Sequence, residues 1–162
     1  MQHQELARAV TTLLEREPAG SRLDSALGLI AGAFEARTAT LHRARAGSTT
    51  LELVSQLGLP EQLLPIVKTI PFGKGMAGLC AERRAPVSLC NLQTDASGDA
   101  RPGAKQTGVE GAISVPVLSA TGTLLGTLGI GKPVAHDYTP DEEATLLDCA
   151  RALGRALGSQ TS

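Results

Sequence analysis

The sequence predicts an α+β fold, a block of antiparallel strands with helices at both chain ends. Three observations carry this. Apolar residues recur at helical spacing near both ends of the chain. From Ala39 onward the period shortens to two. The 18 glycines and 9 prolines supply the turn punctuation and tight backbone approaches of a strand-rich middle. At 162 residues the chain is the size of one ordinary domain and can bury about 70% of its unfolded surface.

The first helix spans residues 4–16, with Leu6, Val10, Leu13 and Leu14 on one side and Glu5, Arg8, Glu15 and Arg16 on the other. Pro18-Ala19-Gly20 ends it. Ser21 is placed to cap a second helix, with Asp24 reaching back as a capping box, and that helix runs to about Arg37. It has almost no polar face and should be largely buried. Thr40-Leu41-His42-Arg43 and Leu51-Glu52-Leu53-Val54 flank Ala46-Gly47-Ser48 and read as a β-hairpin. Pro60, Pro65 and Pro71 punctuate a short helical turn and a brief strand, Lys68 to Ile70.

A glycine-rich turn from Phe72 opens a short helix ending in Arg83 and Arg84, basic residues that suit its C-terminal dipole. Pro86 to Leu89 is a short strand placed near an edge by its proline. Residues 91–111 contain only two larger aliphatics, Leu92 and Val109, and read as a structureless loop of about 20 residues, of the kind that is usually a functional lid or disordered. Ile113 to Val117 and Leu124 to Ile130 alternate as two strands around a Ser119 to Gly122 turn. Thr139-Pro140-Asp141-Glu142 places a hydroxyl cap, a proline at the first helical position and a glutamate at the third, a strong helix start.

Composition narrows the function. The chain is 42% apolar and 19% charged with a formal net charge of -1, which argues for a soluble globular protein and against a nucleic-acid groove. No apolar run approaches the roughly 20 residues that span a bilayer, and Met1 to Glu5 lacks signal-peptide order, so a cytoplasmic protein without membrane contact is expected. With three aromatics, Phe34, Phe72 and Tyr138, a haem, flavin or nucleobase pocket is disfavoured and no cofactor is expected. Cys80, Cys90 and Cys149 form no C-x-x-C pair and have no histidine at ligand spacing, so no metal site is expected. They read as small buried hydrophobes, with a redox role for Cys80 and Cys90 as the alternative. His42, on an alternating strand, reads as solvent-facing or satisfied rather than as a ligand, and no catalytic triad or carboxylate pair follows from spacing.

Three segments share an order and spacing: Pro71-Phe72-Gly73-Lys74-Gly75-Met76-Ala77-Gly78; Ser114-Val115-Pro116-Val117 followed by Gly122, Leu125-Gly126 and Leu128; and Tyr138-Thr139-Pro140-Asp141-Glu142. Together they resemble a GAF domain, the small-ligand sensory module related to PAS, from about residue 5 to 157. The resemblance implies a GAF/PAS-like antiparallel sheet of five or six strands, with the N- and C-terminal helices on one face and a ligand pocket on the other. One domain, 1–157, is expected, followed by a flexible tail, 158–162.

Subfamily motifs are incomplete. Cyclic-nucleotide-binding members resemble this chain at Lys132 and Glu142-Glu143, but Gly131 and Tyr138 stand where Asn and Phe are found, and a Lys132 to Glu142 ion pair reads as structural. Free methionine sulfoxide reductases place their reactive cysteine where this chain has Ala77, and Cys80 and Cys90 are off register. Bilin binding would need a cysteine in the long loop.

In such a fold, the first turn of the Gly75 to Arg83 helix aims backbone N–H groups into the pocket, a ready site for an anion to which Lys74 adds charge. The small side of the two central strands, with Ala112, Ser114 and Thr127, leaves room for a helix or a ligand. The candidate ligand-binding set is Gly75, Met76, Ala77, Cys90, Asn91, Asp95, Ser114 and Thr127, with Lys105 also on the closing loop; no catalytic residue is assigned. The expected function is a sensor of a small anion or small polar metabolite in signal transduction or transcriptional regulation. The alternatives are a thiol-dependent free methionine sulfoxide reductase and a ligand-free dimerisation module. The terminal helices, whose stripes recur partly at heptad spacing, point to a homodimer that shifts a histidine kinase or transcription regulator.

Overall fold

The computed structural model describes residues 3–160 apart from Arg101. Two helices come first, α1 (His3–Arg16) and α2 (Arg22–Phe34). The hairpin follows as β1 (Thr38–Ala44) and β2 (Thr50–Leu57). A 3₁₀ turn, Glu61–Leu63, runs into the single-turn α3 (Leu64–Val67), and β3 (Thr69–Pro71) succeeds it. Then come α4 (Gly75–Arg83) and β4 (Val87–Leu89). A 3₁₀ segment, Pro102–Thr107, precedes β5 (Ala112–Leu118), β6 (Leu124–Gly131) and α5 (Pro140–Gln160). The strands form one antiparallel six-stranded sheet in the order β3-β2-β1-β6-β5-β4. The fold is thus α+β with the sheet expected, and β4 lies at an edge, as its proline predicts.

Alternation along the strands sorts the sheet into two faces. Ala39 and Leu41 of β1, Ile113, Val115 and Val117 of β5, and Leu128 and Ile130 of β6 pack in one cluster with the apolar stripes of α1, α2 and α5. Leu6, Val10 and Leu14 of α1 and Leu146, Leu153 and Leu157 of α5 are all spent on this core. Arg8, Glu15, Arg151 and Arg155 face outward instead. The other face is covered by α4 and by the segments before β3 and after β4.

Several local expectations are corrected. Helix α2 stops at Phe34 rather than Arg37, because Glu35 turns left-handed (φ 54) and its amide bonds back to Gly32 O. Ser21 makes no side-chain cap, because its backbone (φ -121, ψ -10) lacks the extended conformation of an N-cap; its amide and that of Arg22 instead bond the Pro18 carbonyl in a tight turn. Asp24 does not reach back either; its carboxylate accepts the Ser55 hydroxyl and ties α2 to β2. The brief strand is Thr69–Pro71, one residue later than expected. The long loop is not structureless: besides its 3₁₀ segment, Leu92 N bonds Glu110 O at 2.7 Å and Gln93 Nε2 bonds Val109 O at 2.8 Å. Helix α5 continues through Gln160, so most of the expected tail is helical; residues 161–162 lie outside the described residues.

The start of α5 is as expected. Thr139 Oγ1 accepts the Glu142 amide at 3.1 Å, and Glu142 Oε1 accepts the Thr139 amide at 2.9 Å, a reciprocal capping box. No helix is long and apolar enough to cross a membrane, among the described residues.

Candidate functional site

A cavity of about 320 Å³ opens on the sheet face opposite the terminal helices. Its floor is β1, through Thr40 and His42, which alternate with the core residues Ala39 and Leu41. One wall is aliphatic: Leu59, Leu63, Ile66 and Val67 from the turn and α3, with Ile70 of β3. The facing wall is the start of α4, Lys74 to Ala77. Ala100, Gly103, Ala104 and Thr107 close it from above.

The α4 wall follows from its glycines. Gly73 and Gly75 take φ of +84° and +67°, the left-handed region that other residues adopt only at a cost, and this swings the chain from β3 into the helix. A side chain on Gly78 would meet Pro71 O at 2.5 Å, so α4 can sit against β3 only with glycine there. Lys74 is the N-cap in extended conformation and gives no side-chain cap. The first amides of α4 thus have no intrahelical partner, and the helix presents the positive end of its dipole to the cavity.

His42 is the buried polar group of the floor, 2% exposed. A β-bulge beside it, where Leu41 opposes Ser55 and His42 opposes Leu53, leaves Val54 as the extra residue of β2. The imidazole Nε2 lies 2.9 Å from Val67 O. A carbonyl can only accept, so Nε2 carries the proton and the neutral ring leaves Nδ1 bare. That atom is buried with no partner. Burial lowers the pKa of His42 against the smaller raising effect of the Val67 bond, keeping the ring neutral. His42 is absent from the candidate set that the sequence suggests. The signal was its alternation with Leu41: once Leu41 faces the helices, His42 must face the other side.

The candidate residues divide into three groups. Gly75, Met76 and Ala77 line the cavity together. Ser114 and Thr127 are buried on the same sheet face, outside the lining, because α4 packs directly over β5 and β6 there. The room left by small strand residues is filled by a helix. Neither hydroxyl has a hydrogen-bond partner of normal geometry. The Cys80 thiol lies near Ser114, a contact that only partly offsets the burial pushing it up to about 12.

The third group sits beyond the cavity. Cys90 is exposed, and its thiol is raised chiefly by the Asp137 carboxylate beside it. Asn91 donates to Glu110 at 3.3 Å and accepts the Gln93 amide at 3.0 Å, and Asp95 accepts the Ser97 hydroxyl at 2.7 Å. These bonds brace the loop itself. Lys105 is exposed there, its carbonyl accepting from Gln93 Nε2 at 3.0 Å.

The residues matching the cyclic-nucleotide motif do not line the cavity. Burial alone would raise Glu142, but the Thr139 amide and His136, with the charge of Lys132 behind them, hold it below the usual carboxylate range. Its bonded partner is His136, 2.8 Å away. No group of histidine, cysteine and carboxylate residues able to hold a metal occurs among the described residues.

Comparison with known proteins agrees with this architecture. The family model described as GAF domain matches residues 4–157. The GAF domain of a phosphoenolpyruvate-protein phosphotransferase from Coxiella burnetii superimposes with a TM-score of 0.82 at 21% identity, covering 98% of this chain and 94% of that one. The corresponding domain from Acinetobacter gives 0.80 at 16% identity, with 99% and 97% covered. A free methionine-R-sulfoxide reductase from Neisseria meningitidis, in complex with its substrate, gives 0.79 at 18% identity, with 99% and 92% covered. Nothing matches among curated proteins.

Proposed function

The chain belongs to the GAF domain family, and on that premise we propose that it is a small-molecule-sensing module of signal transduction or transcriptional regulation. The observation that carries this reading is the 320 Å³ cavity set between the sheet and the uncapped start of α4. That volume lies at the lower end of the usual range for ligand pockets. The α4 turn suits an acceptor or anionic group on the ligand. The aliphatic wall favours a ligand with an apolar body over a bare inorganic ion.

The reductase reading lacks a nucleophile in this cavity. None of the three cysteines lines it, and the thiols of Cys80 and Cys149 are pushed up to about 12 by burial. As a partner we propose a second copy of this chain, meeting it through α1 and α5, with a kinase or transcription regulator downstream; the apolar stripes expected to carry that contact are spent on the chain's own core. Sedimentation velocity tests this, and a monomer at tens of micromolar removes the dimer.

The test of the receptor reading is a thermal-shift screen over inorganic anions, amino acids and nucleotides, with native mass spectrometry of the purified protein. A ligand at 100 times its Kd adds about 2.7 kcal/mol, or roughly 5–10 °C for a chain of this size. No stabilising compound, together with only the bare mass of the folded protein, refutes the reading.

A further inference from the structure

We infer that the cavity takes a small apolar carboxylate and turns away the amino acid or amine built on the same carbon skeleton. This rests on the receptor reading above and names the ligand class for that site. The distribution of charge around the cavity carries it. Among the described residues that line the cavity there is no aspartate or glutamate, and Lys74 is the one side chain with a fixed charge. His42 adds none, because its burial keeps the ring neutral. The Glu82 carboxylate approaches Gly73 at the entry to α4 but does not line the cavity. Lys74 and the first turn of α4 stand on the same wall, so the charge that this lining offers a ligand is positive and gathered on one side.

A charged group taken out of water is costly unless it is paired. A carboxylate placed at the α4 wall meets the positive charge of Lys74 and of the helix end. An ammonium meets no anion in this lining, and beside α4 it meets like charge. A free amino acid carries both groups on one carbon, so its carboxylate cannot reach the α4 wall without bringing the ammonium with it. The opposite wall, Leu59, Leu63, Ile66, Val67 and Ile70, suits a hydrocarbon body. An apolar cavity of about 150 Å³ holds benzene. The volume of about 320 Å³ here holds a phenyl ring or a branched alkyl group together with a short acid chain.

Matched compounds test the proposal by titration calorimetry on the intact protein at neutral pH. 3-Phenylpropanoate should bind saturably, and about tenfold or more tighter than 3-phenylpropan-1-ol, phenylalanine or 3-phenylpropylamine. 4-Methylpentanoate should exceed leucine by a similar factor. Lys74→Gln, a change at an exposed side chain, should weaken the acids about threefold and leave the alcohol unchanged. Ala104→Leu, which fills the cavity from above, should remove acid and alcohol binding alike. Amino acid, amine or alcohol binding as tightly as the acid overturns the proposal, as does an acid indifferent to either variant. Silence of both acids also overturns it; if the broader screen still finds a stabilising compound, the receptor reading stands. Failure of these compounds and of the broader screen together removes both.

Discussion

Two glycine-to-alanine substitutions, one in α4 and one in α2, separate helix propensity from the packing that shapes the cavity. Gly32 lies on the exposed side of α2, and a Cβ there would meet nothing within 4 Å. Gly32→Ala therefore keeps the whole propensity gain of about 0.5–1 kcal/mol. Gly78 is also inside a helix, so the same gain is available. Its Cβ, however, would sit 2.5 Å from Pro71 O and 3.2 Å from Gly73 N. Both are backbone atoms of the turn that carries α4 against β3, and the Gly73 amide bonds Gly78 O at 2.8 Å. Neither can rotate away, and overpacking of this kind costs about 1–3 kcal/mol. Gly78→Ala should be net destabilising by about 1–2 kcal/mol, and the two variants should differ by about 1.5–3 kcal/mol. In urea denaturation followed by circular dichroism, Gly32→Ala raises the midpoint and Gly78→Ala lowers it. The melting temperatures should move by about +2 and −4 °C. Equal shifts in the two variants would show that α4 does not press on the Pro71 turn, and the account of the cavity wall would fail with it.

Three further outcomes follow from the site and its surroundings. Because the folded-state pKa of His42 is lowered from 6.5, the unfolded chain takes a proton the native ring refuses as pH falls. Its contribution is therefore complete above pH 6.5 and is lost on acidification until the native ring also titrates. Thermal melts between pH 8 and pH 5 should decline less steeply for His42→Gln than for the parent, and parallel declines contradict the assignment. Of three thiols, only exposed Cys90 should react with a disulfide reagent in the native protein, slowed by Asp137, while all three react in denaturant; Cys90→Ser should abolish the native reaction, and a persisting fast thiol would mean Cys80 or Cys149 is open. Thr139→Ala removes the hydroxyl that accepts the Glu142 amide and should cost about 1 kcal/mol in urea denaturation, with no loss being the contrary result.

What the sequence revealed was whatever depends on near neighbours. The Thr139-Pro140-Asp141-Glu142 start of α5 is legible because all its bonds close within four residues. The β1–β2 and β5–β6 hairpins are legible because alternation and turn residues lie side by side. Ser21 and Asp24 show the limit of the same rule: the motif is present, but Pro18 supplies the turn from one side and Ser55, 31 residues away, claims the carboxylate from the other. The site was legible in part for the same reason. The Gly73 to Gly78 run announces a helix whose start must lie against something close. Nothing local says that α4 covers Ser114 and Thr127, which leaves the open volume beside β1, or that α3 brings the Val67 carbonyl to His42. The bulge at Val54 is likewise invisible in composition, since it is a matter of strand register.

The same strand that floors the cavity also belongs to the helical core, and this limits how the two can communicate. Ala39 and Leu41 pack against the helices, whereas Thr40 and His42 face the cavity. Strand β1 is central, bonded to β2 on one side and β6 on the other. A ligand resting on this floor would press on a side chain held between the β2 bulge and the Val67 carbonyl. The bulge is the place where the ladder can yield, because Val54 has no opposite partner there. The β1–β6 register continues unbroken through Leu41 and His42, so that side of β1 moves only with its neighbour. Any displacement at His42 is therefore carried by β1 and β6 together into Leu41 and Leu128, and from there to α1, α2 and α5. A ligand seated on that floor would reach the terminal helices as a shift of close-packed side chains, which interiors at native density transmit rather than absorb.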